Sequence, residues 1–192
     1  MPSDLFKNSA IPRRREIHSP YTFARRPVAY LKIASEVLVM DREELIRKYA
    51  GGEKDFTGRN FSGGDWRDTT ISQAIYQETD FSSSYFDSSE FYECDLSFAE
   101  FTYVRMYEGG FSRCYMPGAN FAYAKFGQCG FKDVDLRAAI FKNTNLSETH
   151  FTKCNLAYAD FTGARECFYL DGGGNIFYET IMPDGSIRTD SL

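Results

Sequence analysis

With 192 residues, a formal net charge of −5 and 43% apolar side chains, the chain has the size of a single domain and enough apolar surface for a core. That excludes an intrinsically disordered chain and a basic nucleic-acid binder. No apolar run approaches 18 residues, which excludes an apolar spanning helix.

The first 26 residues form a polar, proline-bearing arm: Lys7, Arg13, Arg14, Arg15, Arg25 and Arg26 against Asp4 and Glu16 give it a net +4. An apolar signal core is missing, and the arginines leave a transit peptide as the lesser alternative to a poorly ordered basic arm. Pro27 to Met40 is apolar enough to dock, as a strand or as a short helix. Asp41 then opens a clearer element. Asp41 and Glu44 make a D-x-x-E variant of the capping box, and Met40 with Leu45 has the spacing of a hydrophobic staple. Leu45, Ile46 and Tyr49 line one face of the predicted helix, and Gly51-Gly52 stops it.

From Lys54 to Gly163 the sequence has a period of five. Starting at Phe56, every fifth residue through Phe161 is apolar, among them Phe61, Trp66, Tyr76, Leu96, Met116 and Phe141. Chance would produce 22 such hits in a row roughly once in 10⁸, so an internal repeat is the primary reading. Two residues before each apolar centre the residue is small in every case but Lys54 and Arg59; Ala74, Ser84, Cys94, Ala119 and Thr144 are examples. Five fits neither the helical period of about 3.6 nor the strand period of 2. It fits a chain that turns a corner every five residues, with the large centre and the small residue inward and the rest in water. Such a unit buries nothing alone and must stack on the next at about 4.8 Å, so that backbone amides pair between turns.

Units such as Ala119-Asn120-Phe121-Ala122-Tyr123 and Ala159-Asp160-Phe161-Thr162-Gly163 resemble the A-(D/N)-(L/F)-x-x unit of pentapeptide repeat proteins. The resemblance implies an all-β, right-handed quadrilateral β-helix with four units per coil, about 5.5 coils here, led in by a short N-terminal capping helix. The lead-in E-L-I-R-K-Y-A-G-G is similar to that of cyanobacterial members, in which the chain often starts just before the helix, so Met40 is a candidate start. Beyond the repeat, Glu166 stands where an apolar centre is due, and Cys167 to Leu170 are expected to fold over the last coil. Thr180 to Ile187 reads as two short strands around Pro183-Asp184-Gly185, and it too is similar to the tail of cyanobacterial members. The expected division is therefore a basic extension over 1–40, a capping helix over 41–52, the β-helix over 53–165 and a cap and tail over 166–192.

No catalytic motif is present. The two histidines are isolated, Gly172-Gly173-Gly174 lacks the Lys-Ser/Thr of a phosphate loop, and no C-x-x-C occurs. Cys94, Cys114, Cys129 and Cys154 sit at small inward positions, where buried free thiols of a reducing cytosol are the expected state; Cys94 and Cys114, one coil apart, are the one pair spaced for a disulfide. The reading is of a cytoplasmic protein without catalytic residues, cofactor, metal or small-molecule substrate, with monomer and dimer both open.

Function is left to the outer surface. From Glu78 to Glu108 eight acids (Glu78, Asp80, Asp87, Glu90, Glu93, Asp95, Glu100 and Glu108) face only Arg105, a balance of −7, with tyrosines between them. The candidate partner surface is Tyr85, Glu90, Tyr92, Glu93, Phe98, Glu100, Tyr103, Tyr107 and Tyr123, since clustered exposed aromatics on a rigid scaffold are typical anchors for a protein partner. Two classes follow. One is a non-catalytic interaction scaffold, regulatory in character. The alternative, implied by the resemblance to quinolone-resistance relatives, is a DNA mimic that binds a type II topoisomerase such as gyrase. Against it stand Arg113, Lys125, Lys132, Arg137 and Lys142, which dilute the later coils.

Overall fold

In a computed structural model, which describes residues 39–167, 169–170 and 173–190, the corner expected every fifth residue is visible in the backbone. Two places after each apolar centre, from Gly58 through Gly163, φ lies between 50° and 71°. Only Gly58, Gly63, Gly118 and Gly163 are glycines there; the other corners hold residues such as Ser83, Tyr103 and Lys153 in the left-handed region. Each non-glycine corner costs roughly 1 kcal/mol in isolation. At every such corner but Glu148 the amide is seen to donate to the next turn, as when Ser83 N–H donates to Thr102 C=O at 2.8 Å and Tyr103 N–H to Ala122 C=O at 3.2 Å.

Between corners the chain is extended for too few residues to make more than short strands. A helix, α1 (Arg42–Ala50), precedes β1 (Thr70–Ser72), β2 (Glu90–Tyr92), β3 (Arg105–Tyr107), β4 (Gly110–Ser112), β5 (Lys125–Gly127), β6 (Gly130–Lys132), β7 (Asn145–Ser147) and β8 (His150–Thr152). Strands β1-β2-β4-β6-β8 form one parallel sheet and β3-β5-β7 another. Partners are twenty residues apart throughout, as in Ile71↔Phe91↔Phe111↔Phe131↔Phe151. Twenty residues are four corners, so the solenoid is four-sided. The five-stranded face spans four such steps, and single parallel bridges carry the twenty-residue register further, from Asp55↔Ile75 to Asn145↔Arg165.

Stacking in register places like on like. Phe61, Phe81, Phe101, Phe121, Phe141 and Phe161 form a column of parallel rings with centroids 4.7–5.2 Å apart. A second column, Phe91, Phe111, Phe131 and Phe151, meets it edge-on, for example at 5.7 Å between Phe121 and Phe131. The interior is thereby filled with rings. Residues at the small inward position also bond to the backbone. Ser84, Ser89 and Thr144 donate their hydroxyls to the centre carbonyl 23 residues earlier, of Phe61, Trp66 and Phe121. Cys94, Cys114, Cys129 and Cys154 direct their thiols to the same class of carbonyl at 3.2–3.5 Å, and all described cysteines are free. At these positions the small side chain therefore also supplies a second donor to a turn carbonyl.

At the leading end Asp41 caps α1, its carboxylate accepting from Glu44 N–H at 2.8 Å. Met40 and Leu45 are buried together, and Met40 N–H donates to Asn60 C=O at 2.8 Å, so this segment closes the first turn. Tyr49 reaches Ser72 C=O at 2.6 Å. Ile46, read as part of the packed face, is instead 52% exposed. Of the basic extension read over residues 1–40, residues 1–38 lie outside the described residues.

At the far end the ladder does not stop at Glu166. Ile176 pairs with Asn155 and Ile181 with Asp160, a step of 21, so one extra residue is absorbed before the register resumes. Phe177 is buried beneath the terminal turn, and Thr180 takes the small-donor role toward Leu156 C=O at 2.8 Å. Leu170 is buried and Cys167 half-buried; Phe168 lies outside the described residues. The final hairpin, β9 (Thr180–Ile181) and β10 (Ile187–Arg188), turns through Gly185, whose φ of 85° suits glycine.

Candidate partner surface

On a four-sided coil, residues close in sequence point in different directions and residues twenty apart are neighbours. The nine candidate residues accordingly separate into groups.

The largest group is aromatic. Arg105, in β3, sits over the rings of Tyr85 (5.1 Å) and Tyr107 (5.8 Å) and is ion-paired with Asp87. Asp87 also accepts from Tyr107 N–H at 3.1 Å. Tyr107 lies against Gly127, where a β-carbon would stand 2.4 Å from its ring. At the preceding corner Tyr103 and Tyr123 stack at 5.1 Å with planes 7° apart. These four tyrosines are 45–62% exposed yet each is held by a defined neighbour. Fixing them in advance lowers the entropy lost on binding.

A second group centres on Arg113, which donates to Tyr92 Oη at 2.8 Å and Glu93 at 3.3 Å, while Gln73 donates to Glu93 at 3.1 Å. The Gln73 amide, the Tyr92 hydroxyl and Arg113 hold the Glu93 carboxyl below its ordinary range. In the third, Phe98 lies half-buried against Gly118, and Glu100 accepts from Asn120 at 2.6 Å. Glu90 opens β2, exposed between Thr70 and Gly110. Asp95, counted with the surface acids, is buried and accepts from Gln77 on the preceding turn and from Ser97 on its own.

Four residues outside the candidate partner surface read from the sequence border the aromatic group. Lys125, Asn143, Asn145 and Arg165 line, with Tyr103, Tyr123 and Ala124, a groove of about 250 Å³. Aligning the sequence in blocks of twenty was the available signal, since it sets Lys125 beside Arg105 and Asn143 beside Tyr123. Among the described residues no group of three or more His, Cys, Asp or Glu is placed to hold a metal ion, and no helix is long and apolar enough to cross a membrane.

The repeating geometry is matched by a family model: residues 104–166 fit that of the pentapeptide repeat region. The chain is a pentapeptide repeat solenoid. Among solved structures it is similar to QnrB1, a plasmid-mediated fluoroquinolone resistance protein, at 20% identity over 57% of this chain and 71% of that one, with a TM-score of 0.42. It is also similar to HetL of the cyanobacterium Nostoc sp. strain PCC 7120, involved in heterocyst differentiation regulation, at 16% identity over 78% and 100% of the two chains, with a TM-score of 0.24. A pentapeptide repeat protein of the Arabidopsis thaliana thylakoid lumen shares 27% identity over 56% of this chain and 65% of that one, with a TM-score of 0.24. No curated protein matches the chain.

Proposed function

We propose that this solenoid is a non-catalytic scaffold that offers a rigid outer surface to a partner protein, drawing on Tyr85, Glu90, Tyr92, Glu93, Phe98, Glu100, Tyr103, Tyr107 and Tyr123. The observation that carries the reading is the set of half-exposed tyrosines locked by stacking and by Arg105. Tyrosine and arginine are the residues enriched at interface hot spots. The stacked rings leave only the outside free for a partner. Five free cysteines agree with a cytoplasmic location, and the lead-in helix and terminal hairpin agree with a cyanobacterial-type member. Affinity capture with the tagged full chain tests the scaffold: a specific protein is recovered by the native chain and lost on changing Tyr103 and Tyr123 to Ser. Recovery that is indifferent to both tyrosines refutes the aromatic surface.

The topoisomerase alternative needs a strip of uncompensated negative charge. Asp87, Glu93, Asp135 and Asp160 are each matched by Arg105, Arg113, Arg137 and Lys142, which weighs against it. Inhibition of gyrase supercoiling at micromolar protein, abolished by Glu90, Glu93 and Glu100→Lys, is the result that reverses this preference.

A further inference from the structure

The groove beside the tyrosine stack runs between two ladders. One is the corner ladder Tyr103–Tyr123–Asn143, the other the strand ladder Lys125–Asn145–Arg165, with Ala124 between them. The corner ladder changes character at Asn143: two rings are followed by an amide that leans over Gly163 on the next turn, within 2.5 Å of where a β-carbon would be. A wall of aromatic surface thus gives way to a polar ledge. Across the groove Asn145 Oδ1 accepts from Ser147 N–H at 2.9 Å, which leaves the amide nitrogen as the donor end of this side chain.

Charge adds to this contrast. Elsewhere on this chain of net charge −5 the arginines of the same turns, Arg105, Arg113 and Arg137, are matched to acids, as is Lys142. Lys125 and Arg165 are exposed and have no ion pair among the described residues, and no acid lines the groove. They stand two turns apart, which is about 10 Å, or three residues of an extended chain.

We propose that this groove binds an acidic, extended segment of a partner protein, with carboxylates on Lys125 and Arg165 and an aromatic side chain against the Tyr103–Tyr123 stack. The proposal rests on the scaffold reading and specifies its partner. The spacing of the cations selects a peptide over a single compact anion. A phosphate requires donors converging on one point, whereas these two cations are separated by an amide and flanked by an apolar wall. Nucleic acid is disfavoured because the rest of the chain is acidic.

The test uses the intact chain and a dye-labelled heptapeptide containing three glutamates and one phenylalanine, read by fluorescence anisotropy. Binding is expected at a Kd on the order of 100 μM in low salt, weakening as salt screens the exposed charges. Lys125→Glu with Arg165→Glu is expected to weaken it at least about tenfold, and Tyr123→Ser about threefold. Lys132→Glu with Lys153→Glu, which alters two exposed cations outside the groove, is expected to change it less than about twofold. Melting curves of the variants establish that each is folded. Equal binding of a lysine-for-glutamate peptide, indifference to the Lys125/Arg165 variant, or equal affinity for inorganic phosphate in competition overturns the proposal. The same variant in the affinity capture separates the two levels. A partner retained by Lys125→Glu with Arg165→Glu but lost with the tyrosines refutes the groove alone, whereas no partner for any form refutes the scaffold.

Discussion

Tyr76 is the one described buried side chain with a polar atom that meets no partner. Its ring is fully buried, stacked on Phe56 at 5.1 Å and tilted against Phe81 at 5.7 Å, and its hydroxyl is buried with no hydrogen-bond partner. Burial pushes its pKa well above the usual phenol value, with the nearby Cys94 and Tyr49 adding to the shift. Tyr76→Phe removes the stranded oxygen and keeps the stack. An unpaired buried hydroxyl costs about 1–3 kcal/mol. The void left by one oxygen, on the order of 15 Å³, returns about 0.4 kcal/mol of that. The net expectation is a gain of about 1–2 kcal/mol, or a Tm higher by about 3–6 °C for a chain of this length. Thermal melts followed by far-ultraviolet circular dichroism, with urea titration as a second measure, read it directly. Phe81→Tyr, placing a second hydroxyl among the rings, should move Tm the opposite way. A lower Tm for Tyr76→Phe means that the hydroxyl is bonded and the reasoning is wrong.

The other expectations concern the spine, one turn and one surface pair. Phe121 stacks on Phe101 and Phe141 at 5.2 and 4.8 Å, so Phe121→Ala should lower the urea-derived stability by about 3–5 kcal/mol, while Phe121→Asp should prevent folding, seen as loss of the β signal. Gly109 occupies an inward position where Ala is accepted at 99, 119 and 124, but a β-carbon there would stand 2.2 Å from Ser89 C=O. Gly109→Ala should therefore destabilise by about 2 kcal/mol or more, and a melt unchanged from the native one contradicts the backbone approach described. The Arg67 side chain holds the Asp65 carboxyl down to about 2. Because this pKa is lowered on folding, the stabilisation is complete above the unfolded value near 4 and is lost as pH falls through 2. Arg67→Gln should return the carboxyl resonance of Asp65 to a midpoint near 4 in an NMR titration, with little change in Tm for so exposed a pair.

The period of five was legible because burial on every turn falls on the same two positions, so Phe56 to Phe161 and their small companions declare the corner before any coordinates. What the inward residues do beyond being small was not. That Cys94 and Ser84 perform the same act, donating to a carbonyl 23 residues earlier, follows from the coil length and is invisible within one unit. The far end shows a second limit. Glu166 breaks the period, but Phe177 and Thr180 restore it one residue out of step, and a fixed count of five cannot register an inserted residue.

The surface was the least legible part, for a geometric reason. Within one coil the chain faces all four directions, so the run from Tyr85 to Tyr107 is continuous in sequence and divided in space. The candidates divide: Tyr92 and Glu93 go to Arg113 and Glu100 to Asn120, while Tyr85 and Tyr107 gather around Arg105 and Tyr103 and Tyr123 line the groove that ends at Arg165. A binding site on such a scaffold must be written down the ladder, one residue per turn. Changing Lys125 or Arg165 alters one rung of an outward ladder and leaves the inward columns as they are. Specificity on this solenoid can therefore change one rung at a time without touching the core, which is the physical reason to look for partner recognition along a ladder and not along the chain.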